Sequence, residues 1–211
     1  MLKRLFVTGA VFLTASSGCT QPRARDEGRD RLPRVAVEIA QGGQAWGTIL
    51  IELDDRRAPI TVGNFLRYVD EGYYDGTIIH RVVVGPNARI QVFQGGGYTA
   101  LNAASKPGQH EPIRLESDNG LPNVRGTIAM ARDADPHTAT SEFFVNIQDN
   151  PKLNYTGPDH WGYCVFGRII EGMDVVDRIA QVETRTNPDP VLKGEKSQPI
   201  DAPVVVRMRR I

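Results

Sequence analysis

At 211 residues the chain is long enough for one well-packed domain and short for two. Its 40% hydrophobic and 7% aromatic content is that of an ordinary globular protein. Its 25 basic and 25 acidic residues cancel, so no global field draws it to nucleic acid. The basic cluster Arg207, Arg209 and Arg210 alternates along a terminal segment and reads as a solvated strand face rather than a nucleic-acid patch.

The chain opens on a separate object, residues 1–19. Lys3 and Arg4 make a positive n-region, residues 5–15 are apolar but too few to span a bilayer comfortably, and Ser16, Ser17 and Gly18 lead into Cys19. The pattern resembles a bacterial export signal ending in a lipoprotein box, with Cys19 as the lipidated first residue of the mature chain. The place three before the cysteine, usually leucine or similar in such boxes, holds Ser16. An ordinary cleaved signal peptide with an incidental cysteine is a second reading, and an uncleaved membrane anchor a third. The expected location is the cell envelope on the periplasmic side, lipid-anchored to a membrane, or else secreted or periplasmic. Residues 20–34 are polar and rich in charge, which reads as a flexible tether.

A globular domain is expected from residue 35 to 211. Val35, Val37 and Ile39 alternate with polar or small residues, Gly42-Gly43 supplies a turn, and residues 48–53 alternate again, which is a β-hairpin. Pro59 precedes Thr61, which reads as the cap of a helix carrying Val62, Phe65, Leu66 and Val69, stopped by Gly72. Residues 73–84 are strand-like, Gly85-Pro86-Asn87 is a turn, and residues 90–94 resume a strand. Residues 126–131, 143–147 and 163–168 add three apolar strands. Gly172-Met173 opens a second helix with Val175, Val176, Ile179 and Val182, and after a proline- and lysine-rich loop residues 204–211 close as a last strand. Many short strands with two helices predict a mainly β domain, either a closed barrel or a sandwich. Cys164, in an apolar stretch, is expected to be a small buried hydrophobe without a disulfide partner. The histidines His80, His110, His137 and His160 are scattered, so no metal and no cofactor is expected.

Three segments carry the chemistry: Y-D-G-T-I-I-H-R at residues 74–81, F-Q-G-G-G-Y-T at 93–99 and S-E-F-F-V-N-I at 141–147. They describe an arginine following an apolar strand, a glutamine before a glycine turn, and paired phenylalanines. Taken alone, Arg81 is a surface arginine, Gln94 a turn residue and Phe144 a core residue. Three glycines at residues 95–97 suggest a phosphate loop only weakly, because no lysine-threonine pair or long helix follows. Together the segments resemble the cyclophilin pattern over residues 35–211. The resemblance implies a closed eight-stranded antiparallel barrel capped by two α-helices, and peptidyl-prolyl cis-trans isomerase activity.

That reaction needs no bond to be broken. Amide resonance sets a barrier of roughly 18–20 kcal/mol to rotation about the peptide bond. A catalyst must hold the proline ring and stabilise a state in which the prolyl nitrogen is pyramidal with its lone pair free. A rigid, permanently charged guanidinium suits that task. The resemblance makes Arg81 the donor, Gln94 the orienter of its guanidinium or of the substrate carbonyl, and Phe144 the floor of the proline pocket. Val92, Ala131 and Leu153 would line that pocket, with Tyr163 at a rim position where many family members carry histidine. His80 is expected to be structural, on the opposite face of the strand from Arg81.

Departures from the family pattern accompany these matches. Gln91 stands in the substrate-binding wall where the family has phenylalanine, a loss of apolar contact of about 1–2 kcal/mol. Glu142 replaces a glutamine, Lys152 an aromatic residue, and the loop through residues 85–89 is longer than usual. The expected partners are proline-containing unfolded or flexible polypeptides, with the protein a monomer. The alternative is a low-activity binding module or chaperone that holds proline segments on the same barrel.

Overall fold

The first hairpin sets the geometry of the core. β1 (Arg34–Gln41) and β2 (Gln44–Leu53) pair antiparallel across Gly42 and Gly43. The φ values of those glycines, 56° and 77°, are ones at which a side chain would be strained. Alternation buries Val35, Val37 and Ile39 of β1 against Ile49, Ile51 and Leu53 of β2. The computed structural model describes residues 31–192 and 194–211, of which residues 32 onward belong to one compact unit. The expected leader 1–19, its Cys19 and tether residues 20–30 lie outside the described residues. The tether does not run to residue 34 as expected: Pro33 accepts a backbone hydrogen bond from Leu53, and Arg34 already pairs in β1.

The chain continues through α1 (Pro59–Asp70), β3 (Ile79–Val83), β4 (Val92–Gly95), β5 (Thr127–Met130), β6 (Phe143–Asn146), β7 (Val165–Glu171) and α2 (Met173–Ile179). β8 (Thr184–Thr186), β9 (Lys196–Pro199) and β10 (Val204–Arg210) complete it. Eight strands form one antiparallel sheet in the order β10-β1-β2-β7-β5-β6-β4-β3. The sheet curls until its edges meet. Ile78 bridges Val204, the Ile79 amide donates to the Pro203 carbonyl, and the Val205 amide donates to the Thr77 carbonyl. Closure removes the exposed edges that an open sheet would leave. The barrel, and not the sandwich that periodicity left open, is the fold.

The interior is aromatic. Phe65 of α1 lies 5.1–5.9 Å from the rings of Tyr74, Phe143 and Phe166, in tilted and edge-to-face arrangements. α1 buries Val62, Phe65, Leu66, Tyr68 and Val69, and α2 buries Val175, Val176 and Ile179. Several local expectations differ from what forms. Thr61 does not cap α1; the helix starts two residues earlier at Pro59, and the Thr61 hydroxyl donates to Glu116. Residues 73–76 turn rather than extend, and the Gly76 amide reaches the Val205 carbonyl where the barrel closes. Val182 falls beyond the end of α2, and the loop after α2 contains a second, two-stranded sheet, β8–β9. Cys164 is buried beside Thr61, and burial pushes its thiol up to about 12.

Candidate active site

Alternation along two strands builds the site. In β6, Phe143 and Val145 face the barrel core, which leaves Phe144 on the outer face. In β4, Phe93 faces inward and Val92 outward. The outer residues make an apolar cluster separate from the core, in which Val83, Val92, Ala129, Phe144, Leu153 and Val165 are buried. Ile90, Ala131 and Tyr163 pack partly buried against it. The Phe144 and Tyr163 rings meet edge to face at 5.4 Å and 84°. Sheet register then carries polar groups alongside: Arg81 of β3 pairs with Gln94 of β4, which pairs with Phe144 of β6. Arg81, Gln94 and Phe144 are thus consecutive cross-strand neighbours.

Buried asparagines fix the loops that complete the wall. Asn123 donates to the Leu153 carbonyl and Asn146 donates to Asn123. Asn150 donates to Asn146 and to the Gln91 carbonyl. This network holds the 3-10 turn Pro151–Leu153, so Leu153 is 8% exposed and presented to the pocket. The cavity over the cluster measures about 850 Å³, larger than a proline ring needs.

Arg81, Gln94, Phe144, Val92, Ala131, Leu153 and Tyr163 all line this one cavity. Gln91 does not: its side-chain amide turns away and donates to the Gly85 carbonyl, bracing the long loop. Ile90 lines the cavity one residue earlier, so the apolar wall expected to be missing at Gln91 has an aliphatic neighbour instead. His80 also departs from expectation. A register shift between Ile79 and Arg81 breaks strict alternation, and His80 lines the same cavity as Arg81.

The polar groups form a chain. Arg81 donates from Nε and Nη2 to the two carboxylate oxygens of Glu195, at 2.8 and 3.0 Å, and from Nη1 to Gln94 Oε1 at 3.2 Å. Gln94 Nε2 donates to Glu142 Oε2 at 2.7 Å. His80 Nε2 lies 3.4 Å from the same Glu142 oxygen, while its Nδ1 is buried without a partner among the described residues. Burial, and secondarily the charge of Arg81, lower the His80 pKa to about 4, so the ring is neutral near pH 7 and the Glu142 contact is not an ion pair. Burial raises the Glu142 carboxyl, opposed by the hydrogen bond from Gln94. Burial also opposes the charge on Glu195, but the bonds from Arg81 and Ser197 outweigh it and hold that carboxyl below its usual range.

Arg132 and Glu195 escaped the sequence reading. The Arg132 guanidinium lies 4.7 Å from the Tyr163 ring centre and donates to the Gly162 carbonyl, which orients the tyrosine at the rim. Its position directly after Ala131 was the available signal. Glu195 gave none, standing 114 residues from Arg81 in a segment without hydrophobic pattern. Among the described residues no cluster of three or more His, Cys, Asp or Glu could hold a metal ion.

The family model described as cyclophilin type peptidyl-prolyl cis-trans isomerase/CLD matches residues 35–203. A peptidyl-prolyl cis-trans isomerase of Streptomyces antibioticus is 46% identical over 167 residues, covering 78% of this chain and 93% of that protein. One from Acinetobacter baylyi is 51% identical over 140 residues, covering 66% of this chain and 70% of its own. Among solved structures, a Cryptosporidium parvum cyclophilin type peptidyl-prolyl cis-trans isomerase superposes with a TM-score of 0.65. That superposition covers 85% of this chain and 98% of the other at 24% identity, a likeness of fold.

Proposed function

Because the chain belongs to the cyclophilin family and is a peptidyl-prolyl cis-trans isomerase, we propose that it acts on X-Pro bonds of unfolded or flexible polypeptides outside the cytoplasm, with Arg81 as its catalytic donor. The observation that carries this reading is the placement of a fixed cation against an apolar cluster. Of the five N–H groups of Arg81, three are engaged by Glu195 and Gln94 among the described residues, which leaves two for a substrate.

A proline ring seated on Phe144, between Val92, Ala131, Leu153 and Tyr163, loses its freedom to turn while the preceding residue stays outside the pocket. Rotation about the X-Pro bond then swings the preceding carbonyl rather than the ring. As resonance is lost, the prolyl nitrogen becomes pyramidal and gains a lone pair, and the remaining Arg81 N–H groups stabilise it or the neighbouring backbone oxygen. Gln94 keeps the guanidinium turned toward that position. Neutral His80 and the Gln94–Glu142 pair have no proton to transfer in this reaction and serve as packing and orientation. Each 1.36 kcal/mol of preferential stabilisation is about tenfold in rate, so a few kcal/mol suffice for a useful catalyst.

A protease-coupled assay on short X-Pro peptides, using the chain from residue 20 onward, should show acceleration that a chelator leaves unchanged. No acceleration across several residues before proline would favour the binding-module reading, and loss of activity in the chelator would contradict a metal-free mechanism. The export proposal rests on the sequence of the leader. Cys19→Ser should move the protein from the membrane fraction into the soluble envelope or the medium. Unchanged fractionation would mean that Cys19 is not the anchor.

A further inference from the structure

Glu195 makes the two shortest contacts of Arg81, yet it is not among the residues that line the cavity. Glu195 thus engages Arg81 from beside the lining residues, its own side chain 28% exposed and its neighbours Leu192 and Gln198 on the cavity wall. The surroundings of Glu195 are built to hold a carboxylate there. Its carbonyl accepts from the Asn187 amide at 2.8 Å, its amide donates to the Leu192 carbonyl at 2.9 Å, and Ser197 hydrogen-bonds its carboxylate. Asn187 Nδ2 reaches Ser197 Oγ at 3.3 Å. The β8–β9 ribbon is itself tied down, with Arg185 donating to Gln198 and Gln198 donating to Asn102 on the cavity rim, both at 2.8 Å. β9 lies alongside β3, the strand that carries Arg81.

A single bond from Gln94 would fix one corner of the guanidinium and leave its plane free to turn. A two-pronged carboxylate fixes the plane as well, because both N–H vectors of one edge are satisfied together. The remaining N–H groups, one on each Nη, then point away from Glu195. We infer that Glu195 is a positioning residue for the isomerisation, setting the plane of Arg81 from the guanidinium edge that carries Nε and Nη2, an inference that rests on the catalytic role proposed for Arg81. The carboxylate also offsets part of the positive charge, which by itself would weaken the donor. The geometry outweighs it, since a donor aimed before the reaction needs no reorganisation during it.

Glu195→Ala should lower kcat by about tenfold with KM within about twofold, the pattern of an interaction used in the transition state. Glu195→Gln keeps one acceptor and should lose only about threefold. In an Arg81→Ala background, Glu195→Ala should change the residual rate by less than about twofold, because the two residues act as one unit. The Arg81 Nε–H resonance should be protected from solvent exchange in the parent and in Glu195→Gln, and exposed in Glu195→Ala. Circular dichroism and thermal unfolding establish that each variant is folded, and Glu195→Gln carries the same cycle if the alanine variant is not. A Glu195→Ala protein with kcat at or above the parent, a rise in KM alone, or an equal loss in both backgrounds would overturn the assignment. The Arg81 reading is judged separately, by Arg81→Ala against the parent.

Discussion

Arg81→Ala should leave a folded barrel that isomerises X-Pro peptides roughly 10²–10³ times more slowly in kcat/KM, the loss typical when one donor aimed at a transition state is removed. The residue side chain is 18% exposed and pairs with a Glu195 side chain that is 28% exposed, so it is less a surface residue than its place after a strand suggests. Its removal leaves a partly buried carboxylate without its fork. A stability loss of about 1–2 kcal/mol is therefore expected, above the half kcal/mol or less usual for a rim position. Urea unfolding separates the two effects, since the protein remains folded in assay buffer after a loss of that size. Arg81→Lys provides the comparison: it keeps the charge but not the planar fork, and should fall between the parent and the alanine variant. An Arg81→Ala protein as fast as the parent would remove the proposed mechanism, whatever the fold.

The strands of the site were legible because each is a short, largely apolar run bounded by glycines or polar loops. F-F at residues 143–144 implies one ring inward and one outward on any half-buried strand, and that is how Phe143 and Phe144 divide. Closure of the barrel was not legible from pattern, since it depends on Ile78 meeting Val204, two residues far apart in the chain. The resemblance to a known family supplied it. Two local failures have one cause, tertiary contacts overriding short-range signals. Thr61 looks like a cap but is drawn into the helix by Glu116. His80 looks as if it should oppose Arg81, yet a one-residue register shift brings both to the same cavity. Gln91 was misplaced differently. Its position matched the family's wall, but a longer loop at residues 85–89 offered its amide the Gly85 carbonyl, and the side chain turned there. The β8–β9 ribbon and Glu195 were invisible because a segment of prolines, lysines and single polar residues has no period to read.

Phe144→Ala tests the other half of the site, and its signature should be opposite in kind. The ring is 5% exposed and is the floor of the outer cluster, in edge contact with Tyr163. Truncation removes a large apolar surface and leaves space that the neighbouring strands cannot close, because their other faces are committed to the barrel core. The expected stability loss is about 3 kcal/mol, the lower end of the 3–5 kcal/mol typical of such truncations, since one side of the ring already faces an open cavity. Catalysis should fall as well, through both KM and kcat: a proline ring without its floor binds weakly and sits poorly against Arg81. Phe144→Leu should recover most of the stability and less of the activity, because it restores volume but not the flat surface or the edge contact with Tyr163. Unfolding midpoints and steady-state kinetics on the same preparations decide the matter. A Phe144→Ala protein that is destabilised but has the parent's KM and kcat would place this ring in structure alone and move the proline pocket elsewhere in the cavity.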